Sequence, residues 1–403
     1  MIKILQNRTF LFFFLGNIIS LIGFGFNMIA VSWLVLEKTG SEFTLGKVIA
    51  ISTLPGLVIS IFTGYIIDKF NRKFLLVYLD IIRAFIIIIF LIYLNFYQFN
   101  IKYLYPLVFF MGIFNSIFWS TAQAFAQEVV SKKDYFNANK LLSASYQIGS
   151  ILGAGIGGIV VHIFNPFNAL WINSFTYIVS AILIFIAPYI HQKKENLDNN
   201  FLKSNFKGIE YLFNKKKLLT LLTTTIMSDV AIWGALSVLT LSISIQVYDK
   251  GTWGYGLLDG FYGVGALFSV ILVGFCTKYL SRRILLKICY LFSFIALFLS
   301  AKMASIFIAS IFFLILGLCN NSARIIVRTI LMENVKNNIM GRVQTFLGIY
   351  TRLLVVFSSL FCGYLIEKYN IEISVIFTCF HYFIAFSGVW LISYQTKKSF
   401  SFK

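Results

Sequence analysis

Charged residues are scarce in this chain and acids scarcest: of 403 residues 12% are charged, with 15 Asp and Glu against 34 Lys and Arg. Histidine numbers three, and there is neither a His pair nor an Asp-rich motif. A membrane-embedded enzyme would need such clustered groups near one face, so an enzyme is not expected. Cys276, Cys289, Cys319, Cys362 and Cys379 lie in or beside apolar runs without CxxC spacing. They read as small packing residues, with no disulfide framework and no metal site. Gly153-x-Gly155-x-x-Gly158 matches a dinucleotide fingerprint, but it falls inside a long apolar run with no strand before it. Gly40 to Lys47 is one residue too long for a P-loop, and Val48 stands where Ser or Thr is required. No cofactor is expected. Nor is nucleic acid a partner, because the basic residues fall in short clusters between apolar spans and form no separate basic domain.

What is present is apolar sequence. The chain is 59% hydrophobic with mean hydropathy +0.84, including 45 Phe. A soluble interior of this size cannot hide that much apolar surface, so lipid must serve as solvent. Runs of spanning length lie roughly at 10–36, 43–67, 74–95, 103–127, 140–163 and 167–190, then at 218–247, 256–277, 283–301, 304–332, 340–366 and 371–394. This predicts an all-α integral membrane protein with twelve spans in two six-helix bundles, residues 1–190 and 218–394. Between them lies a basic linker, 191–217, whose Phe206-Lys-Gly-Ile-Glu-Tyr-Leu-Phe is amphipathic and suits a membrane-surface helix. Residues 395–403 form a tail. The first apolar run is too long for a signal-peptide core and lacks a small-residue cleavage site, so a retained first helix is expected. Placing both termini on one side gathers roughly two dozen basic residues there and about six on the other, which makes the rich side cytoplasmic. The expected location is the cytoplasmic membrane, and a monomer is expected.

One polar stretch organises the rest: Gly64-Tyr-Ile-Ile-Asp68-Lys69-Phe-Asn-Arg72-Lys73. A degraded copy, Gly274-Phe-Cys-Thr-Lys278-Tyr-Leu-Ser-Arg282-Arg283, follows about 210 residues later. Glu128-Val-Val-Ser-Lys-Lys and Glu333-Asn-Val-Lys-Asn-Asn repeat at about 205. The spacing Gly-x-x-x-Asp-Lys-x-x-Arg-Lys resembles the loop between helices 2 and 3 of the major facilitator superfamily. That resemblance implies two homologous bundles with a substrate site at their interface. It further implies a cytoplasmic latch in which Asp68 meets the start of helix 11, where Arg342 follows Met340-Gly341. Arg72 would pair with Glu128. These bonds are expected only while the cytoplasmic side is closed. Gly64, Asp68, Arg72, Lys73, Glu128 and Arg342 are thus the gate residues. Lys278 replaces the acid in the second copy, which argues against a symmetric clamp.

Helix 5 carries Gly149, Gly153, Gly157 and Gly158, a nearly smooth face on which another helix can pack closely. The pattern resembles the exporters' Gly-x-x-x-Gly-Pro-x-x-Gly-Gly, with Ala154 in place of proline, and it favours efflux over uptake. Asp80 and Arg83 share a helical face in span 3, where they either neutralise each other or serve function. Their Asp-Ile-Ile-Arg resembles a subgroup containing macrolide-efflux and enterobactin-exporter-like proteins. Asp229 sits about 12 residues into span 7, at a depth of ~18 Å. Unpaired there, an ionised carboxylate costs several kcal/mol and would bind a proton. Its rival fate is an ion pair with Arg324, Arg328 or Arg352. His381 in span 12 reads first as a hydrogen-bonded packing residue. Asn17, Asn27, Asn115, Gln123 and Asn320 are expected to line the cavity, with Gln127, Asn173 and Asn321 as further polar positions, although interhelical hydrogen bonds use the same residue types.

The resulting expectation is a secondary transporter that exports amphipathic small molecules, macrolide-like drugs among them, by alternating access with protons as the coupling ion. Asp229 or Asp80 would be the protonation site. The excess of Arg over Asp favours an anionic or neutral cargo. The alternatives are export of an endogenous siderophore or peptide-like metabolite, and a non-transporting receptor or immunity protein with the same helices.

Overall fold

The computed structural model describes residues 2–131, 134–189, 210–335 and 337–395. Among them are helices and no strand, and twelve helices are long and apolar enough to cross a membrane. In chain order these are α1 (Arg8–Thr39), α2 (Glu42–Lys69), α3 (Arg72–Phe96), α4 (Ile101–Val129), α5 (Tyr135–Ser150, continued through Ile151–Ile156 and Gly157–Ile163) and α6 (Pro166–Ile186). The second six are α7 (Lys216–Val247), α8 (Gly251–Cys276), α9 (Arg282–Ser300), α10 (Ile306–Asn334), α11 (Asn337–Lys368) and α12 (Ile371–Gln395). Of the expected linker helix, residues 206–209 lie outside the described residues, and 210–214 are helical.

Local chemistry sets the ends. The side-chain oxygens of Asn7, Asn71 and Asn100 accept first-turn N–H groups of α1, α3 and α4, and Ser281 and Ser305 do the same for α9 and α10. Gly40 adopts the left-handed backbone (φ 60°) that stops α1, its N–H donating to the Leu36 carbonyl. The largest boundary differences, five residues each, are at α5, which starts at Tyr135 where hydropathy places it near 140, and at α8, which starts at Gly251 where hydropathy places it near 256. Gly-Thr-Trp-Gly-Tyr is too weakly apolar to mark the first turn.

Two compact units emerge. Unit 1 comprises Met1–Gly40, Ile51–Asp198 and Gly251–Gly256; unit 2 comprises Ser41–Ala50, Asn199–Lys250 and Leu257–Lys403. Chain order alone gives 1–190 and 218–394, so two short segments change sides. Ser41–Ala50 is held in unit 2 by Glu367, whose carboxylate accepts the Ser41 hydroxyl at 2.7 Å and the Phe43 N–H at 3.2 Å. Gly251–Gly256 is held in unit 1, where Gly158 lies against the Thr252 carbonyl and the Gly256 Cα. The core of unit 1 is rich in phenylalanine, with Phe13 and Phe125 edge to face at 5.2 Å.

The internal repeat recurs as equivalent contacts. Arg72 at the start of α3 pairs with Glu128 at the end of α4 (2.9 Å), and Arg282 at the start of α9 pairs with Glu333 near the end of α10 (2.6 Å). A Cβ on Gly112 of α4 would lie 2.0 Å from the Ser52 carbonyl oxygen of α2. One on Gly317 of α10 would lie 1.9 Å from the Tyr262 carbonyl oxygen of α8. Each contact recurs about 205–210 residues on. The two ion pairs differ in exposure, the Glu333 side chain being 50% exposed and that of Glu128 17%. Glu333→Gln is therefore expected to cost under about 1 kcal/mol, and Glu128→Gln about 2–3 kcal/mol. Thermal unfolding of the purified variants measures the difference.

Candidate functional site

Inside unit 2, α7, α8, α10 and α12 bring polar groups into a column. Arg324 of α10 donates from Nε and Nη2 to Asp229 Oδ1 of α7, at 2.9 and 2.6 Å. Asp229 lies about 20 Å along its helix, where a lone charge would be costly, and the pair is the arrangement that removes most of that cost. It remains partly open: the side chains of Asp229 and Arg324 are 32% and 17% exposed. One turn toward Gly317, the Asn320 Nδ2 donates to the Tyr262 hydroxyl of α8 at 3.2 Å. Tyr262 also lies within electrostatic reach of Arg324, Asp229 and Asp259. The Asn320 Oδ1 and the Tyr382 hydroxyl of α12 are buried with no hydrogen-bond partner among the described residues. Orphan polar atoms beside a charged pair mark a place where solvent or a ligand must complete the bonding.

Of the three arginines expected as partners for Asp229, the structure selects Arg324. Arg328 stands one turn on from it and is exposed; Arg352 is half-buried on α11. Asp259 escaped the sequence reading. It lies eight residues into α8, half-buried, and no described side chain is within ion-pair or hydrogen-bond distance of it. Depth within an apolar span singled out Asp229; a span begun near 256 places Asp259 only three residues in, whereas α8 begun at Gly251 places it eight residues in.

Unit 1 holds the second charged group. Asp80 and Arg83 of α3 form an ion pair, and both are enclosed, at 0% and 2% exposure. The Ser20 hydroxyl of α1 donates to Asp80 Oδ1 at 3.1 Å, and the Ser180 hydroxyl of α6 to Oδ2 at 2.7 Å. Arg83 donates to the Asn115 side-chain oxygen of α4 at 2.8 Å and to the Leu79 carbonyl at 3.3 Å. Its guanidinium lies over the rings of Phe118 (4.0 Å) and Tyr177 (4.3 Å). Both Asp80 oxygens have partners, so the two residues neutralise each other in a closed setting. Burial and bonding of both oxygens close Asp80 to solvent in this structure, the arrangement of a mutually neutralising pair.

At the loop-bearing end of unit 1, Arg72 also donates to the Ala124 carbonyl at 3.1 Å, and the Lys73 ammonium donates to the Ala187 carbonyl at 2.8 Å. The Tyr189 hydroxyl donates to Glu128 Oε1. Burial, then this bond and the Glu128 charge, raise the phenol above its ordinary range. Arg72 and Glu128 both belong to unit 1, so their bond braces α3 against α4 within one bundle. The surroundings of Gly64 and of the Asp68 side chain lie outside the described residues; Arg342 is half-buried on α11.

The glycine face of α5 is a tight seam. A Cβ on Gly149 would meet Leu21 at 2.4 Å, one on Gly153 the Gly25 Cα at 2.7 Å and one on Gly157 Ile29 at 3.0 Å, all on α1. Between them the helix widens to π geometry over Ile151–Ile156. A π turn is a local irregularity of the kind found at functional positions, and it stands where Ala154 replaces the exporters' proline.

The uncharged polar residues divide. Asn17 donates to the Ser145 hydroxyl at 2.8 Å, and Asn321 to the Ala266 carbonyl and the Ser269 hydroxyl, so both tie helices together. Asn27 is buried with its side-chain oxygen unbonded, Gln123 and Gln127 are exposed, and Asn173 is enclosed. His381 donates from Nδ1 to the Phe377 carbonyl, which only accepts, leaving Nε2 of the neutral ring to accept the Ser358 hydroxyl at 3.1 Å.

A family profile described as Major Facilitator Superfamily matches residues 13–354. The chain is 25% identical over 363 residues to the putative bacilysin exporter BacE of Bacillus subtilis (strain 168), covering 88% of this chain and 86% of that protein. It is 24% identical over 170 residues to the multidrug efflux pump Tap of Mycolicibacterium fortuitum, covering 41% of each. Against several curated relatives the match spans less than half of their length. In fold it is similar to the crystal structure of the nucleoside transporter NupG, with TM-score 0.78 at 9% identity over 95% of this chain and 99% of that one.

Proposed function

The chain belongs to the major facilitator superfamily, and from that premise we propose that it exports amphipathic small molecules across the cytoplasmic membrane by alternating access, coupled to protons. Both termini face the cytoplasm in this reading. The observation that carries it is the Asp229–Arg324 pair, charged and partly open inside unit 2. A proton arriving on Asp229 cancels the carboxylate's charge and frees Arg324. The two protonation states then differ in their internal bonding, as coupling requires. Similarity to an efflux pump and to a putative exporter supports the outward direction, as does the glycine face of α5. Macrolide-like drugs are the cargo suggested by the sequence resemblance. The longer match to an exporter assigned to one compound favours a second cargo class, an endogenous siderophore or peptide-like metabolite. A latch between Asp68 and Arg342 completes the cycle, and an enforced Asp68→Cys/Arg342→Cys cross-link is expected to stop turnover.

Proteoliposomes with an imposed pH gradient test the coupling. Asp229→Asn is expected to abolish acceleration by the gradient while exchange of cargo at equal pH continues. Unchanged gradient-driven export would remove Asp229 from the mechanism, and Asp80→Asn, the alternative protonation site, and Asp259→Asn are then the next variants to measure. Equal drug accumulation in cells with and without the protein would instead favour a receptor or immunity role.

A further inference from the structure

Arg328 is the feature of unit 2 that the proton-coupled reading leaves unused. It lies four residues after Arg324 on α10, hence on the same helical face, the one that Arg324 turns toward α7. The charges that act on it are those of Arg324 and Asp229. Those two are already committed to each other through both Nε and Nη2 of Arg324. Arg328 itself is exposed, and no described residue is within ion-pair or hydrogen-bond distance of its guanidinium. Of the other acids of unit 2, Glu333 pairs with Arg282, Glu367 holds the start of α2, Glu42 accepts from Gln246 at 2.5 Å, and Asp259 lies near the opposite end of α8; Glu210 precedes α7, Asp249 precedes α8, and Glu372 stands in the first turn of α12. The pair is neutral as a whole, so the cluster around Arg328 carries one uncompensated positive charge. A free guanidinium about 9 Å in from the end of its helix is costly unless water or an anion meets it.

We propose that Arg328 binds a carboxylate on the cargo. This rests on the exporter reading and names the chemistry of its substrate: an amphipathic molecule carrying one carboxylate. The guanidinium presents a planar fork that matches a carboxylate in two parallel hydrogen bonds. Asn320 Oδ1 and the Tyr382 hydroxyl, buried and unbonded, provide an acceptor and a donor for polar groups elsewhere on the same molecule.

The test uses the purified full chain in nanodiscs with two fluorescent probes that differ only at the acid, dansyl-phenylalanine and its primary amide. Wild type is expected to bind the acid about 10- to 100-fold more tightly than the amide. Arg328→Gln should erase that preference, and Arg328→Lys should keep part of it, charge without the fork. Equal binding of acid and amide, binding of neither, or a preference that survives Arg328→Gln overturns the proposal. A lipid phosphate is the competing source of an anion. Nanodiscs of phosphatidylcholine alone and with added phosphatidylglycerol separate the two, because displacement of the probe by the anionic lipid would assign Arg328 to headgroups and overturn the cargo role. Flux in proteoliposomes keeps the two levels apart. Export of acid and amide alike defeats this inference while leaving the exporter intact, whereas Arg328-dependent binding of the acid without flux leaves the inference standing and defeats the exporter reading.

Discussion

Arg83→Ala is expected to lower the stability of the protein by about 3–5 kcal/mol, the range for removing one partner of a buried ion pair. Arg83 is 2% exposed and Asp80 not at all, so the carboxylate left behind has no water to turn to. Ser20 and Ser180 would still donate to it, yet two neutral donors do not replace a guanidinium. The Asn115 oxygen loses its donor, and the rings of Phe118 and Tyr177 lose the cation between them. Asp80→Asn should cost less than Arg83→Ala, because the amide oxygen still accepts one of the bonds while Arg83 stays buried. The double variant should then cost less than the sum of the two, since no unpaired charge remains. Unfolding of the detergent-solubilised protein, with the monodisperse fraction after heating as a second readout, measures all three. An Arg83→Ala protein within about 1 kcal/mol of wild type would show that the pair contributes little. Asp80→Asn that folds normally but loses pH-gradient coupling would assign proton carriage to Asp80.

How the pair is held was not legible before the structure, although the pair itself was. Asp80 and Arg83 are three apart on one helix, which periodicity alone reveals. Ser20 and Ser180 come from α1 and α6, and nothing local marks these serines among many. The same division runs through the chain. Twelve spans followed from apolar run length, and the repeat followed from two basic loops and two acid-bearing helix ends. Arg72 with Glu128 was readable because both sit at helix ends with a counterpart later in the chain. For Asp229 the choice among Arg324, Arg328 and Arg352 needed three-dimensional information, since each arginine lies on an apolar span at a compatible depth. Asp259 was passed over because a helix start near 256 left it only three residues deep. The π turn at Ile151–Ile156 was invisible because no residue type demands it. Single glycines were the least legible of all: Gly112 and Gly317 belong to no motif, yet each is a point of contact between two backbones.

Gly317→Leu is expected to be the most damaging apolar substitution in unit 2, at about 3 kcal/mol or more. A Cβ there would lie 1.9 Å from the Tyr262 carbonyl oxygen and 2.8 Å from its carbon. A flexible side chain can move aside, but a carbonyl in the middle of α8 cannot move without its helix. The contact is doubled, for a Cβ on Gly265 of α8 would lie 2.0 Å from the Leu314 carbonyl oxygen of α10. The two helices therefore meet backbone to backbone through a glycine on each, the geometry that small residues permit in membranes. Separation at this seam reaches the candidate site directly, because Asn320, one turn from Gly317, donates to Tyr262 across it. Gly317→Ala should show the same effect in milder form, with loss of binding at the polar column preceding loss of fold. In unit 1, Gly112→Ala against Ser52 should destabilise the protein comparably while leaving the Tyr262–Asn320 contact undisturbed. The two alanine variants thus separate damage to packing from damage to the site: equal loss of stability in both, with probe binding weakened in Gly317→Ala alone, is the expected result. If Gly317→Leu unfolds at the wild-type temperature, α8 and α10 are not packed backbone to backbone in the membrane, and the column built across their seam falls with them.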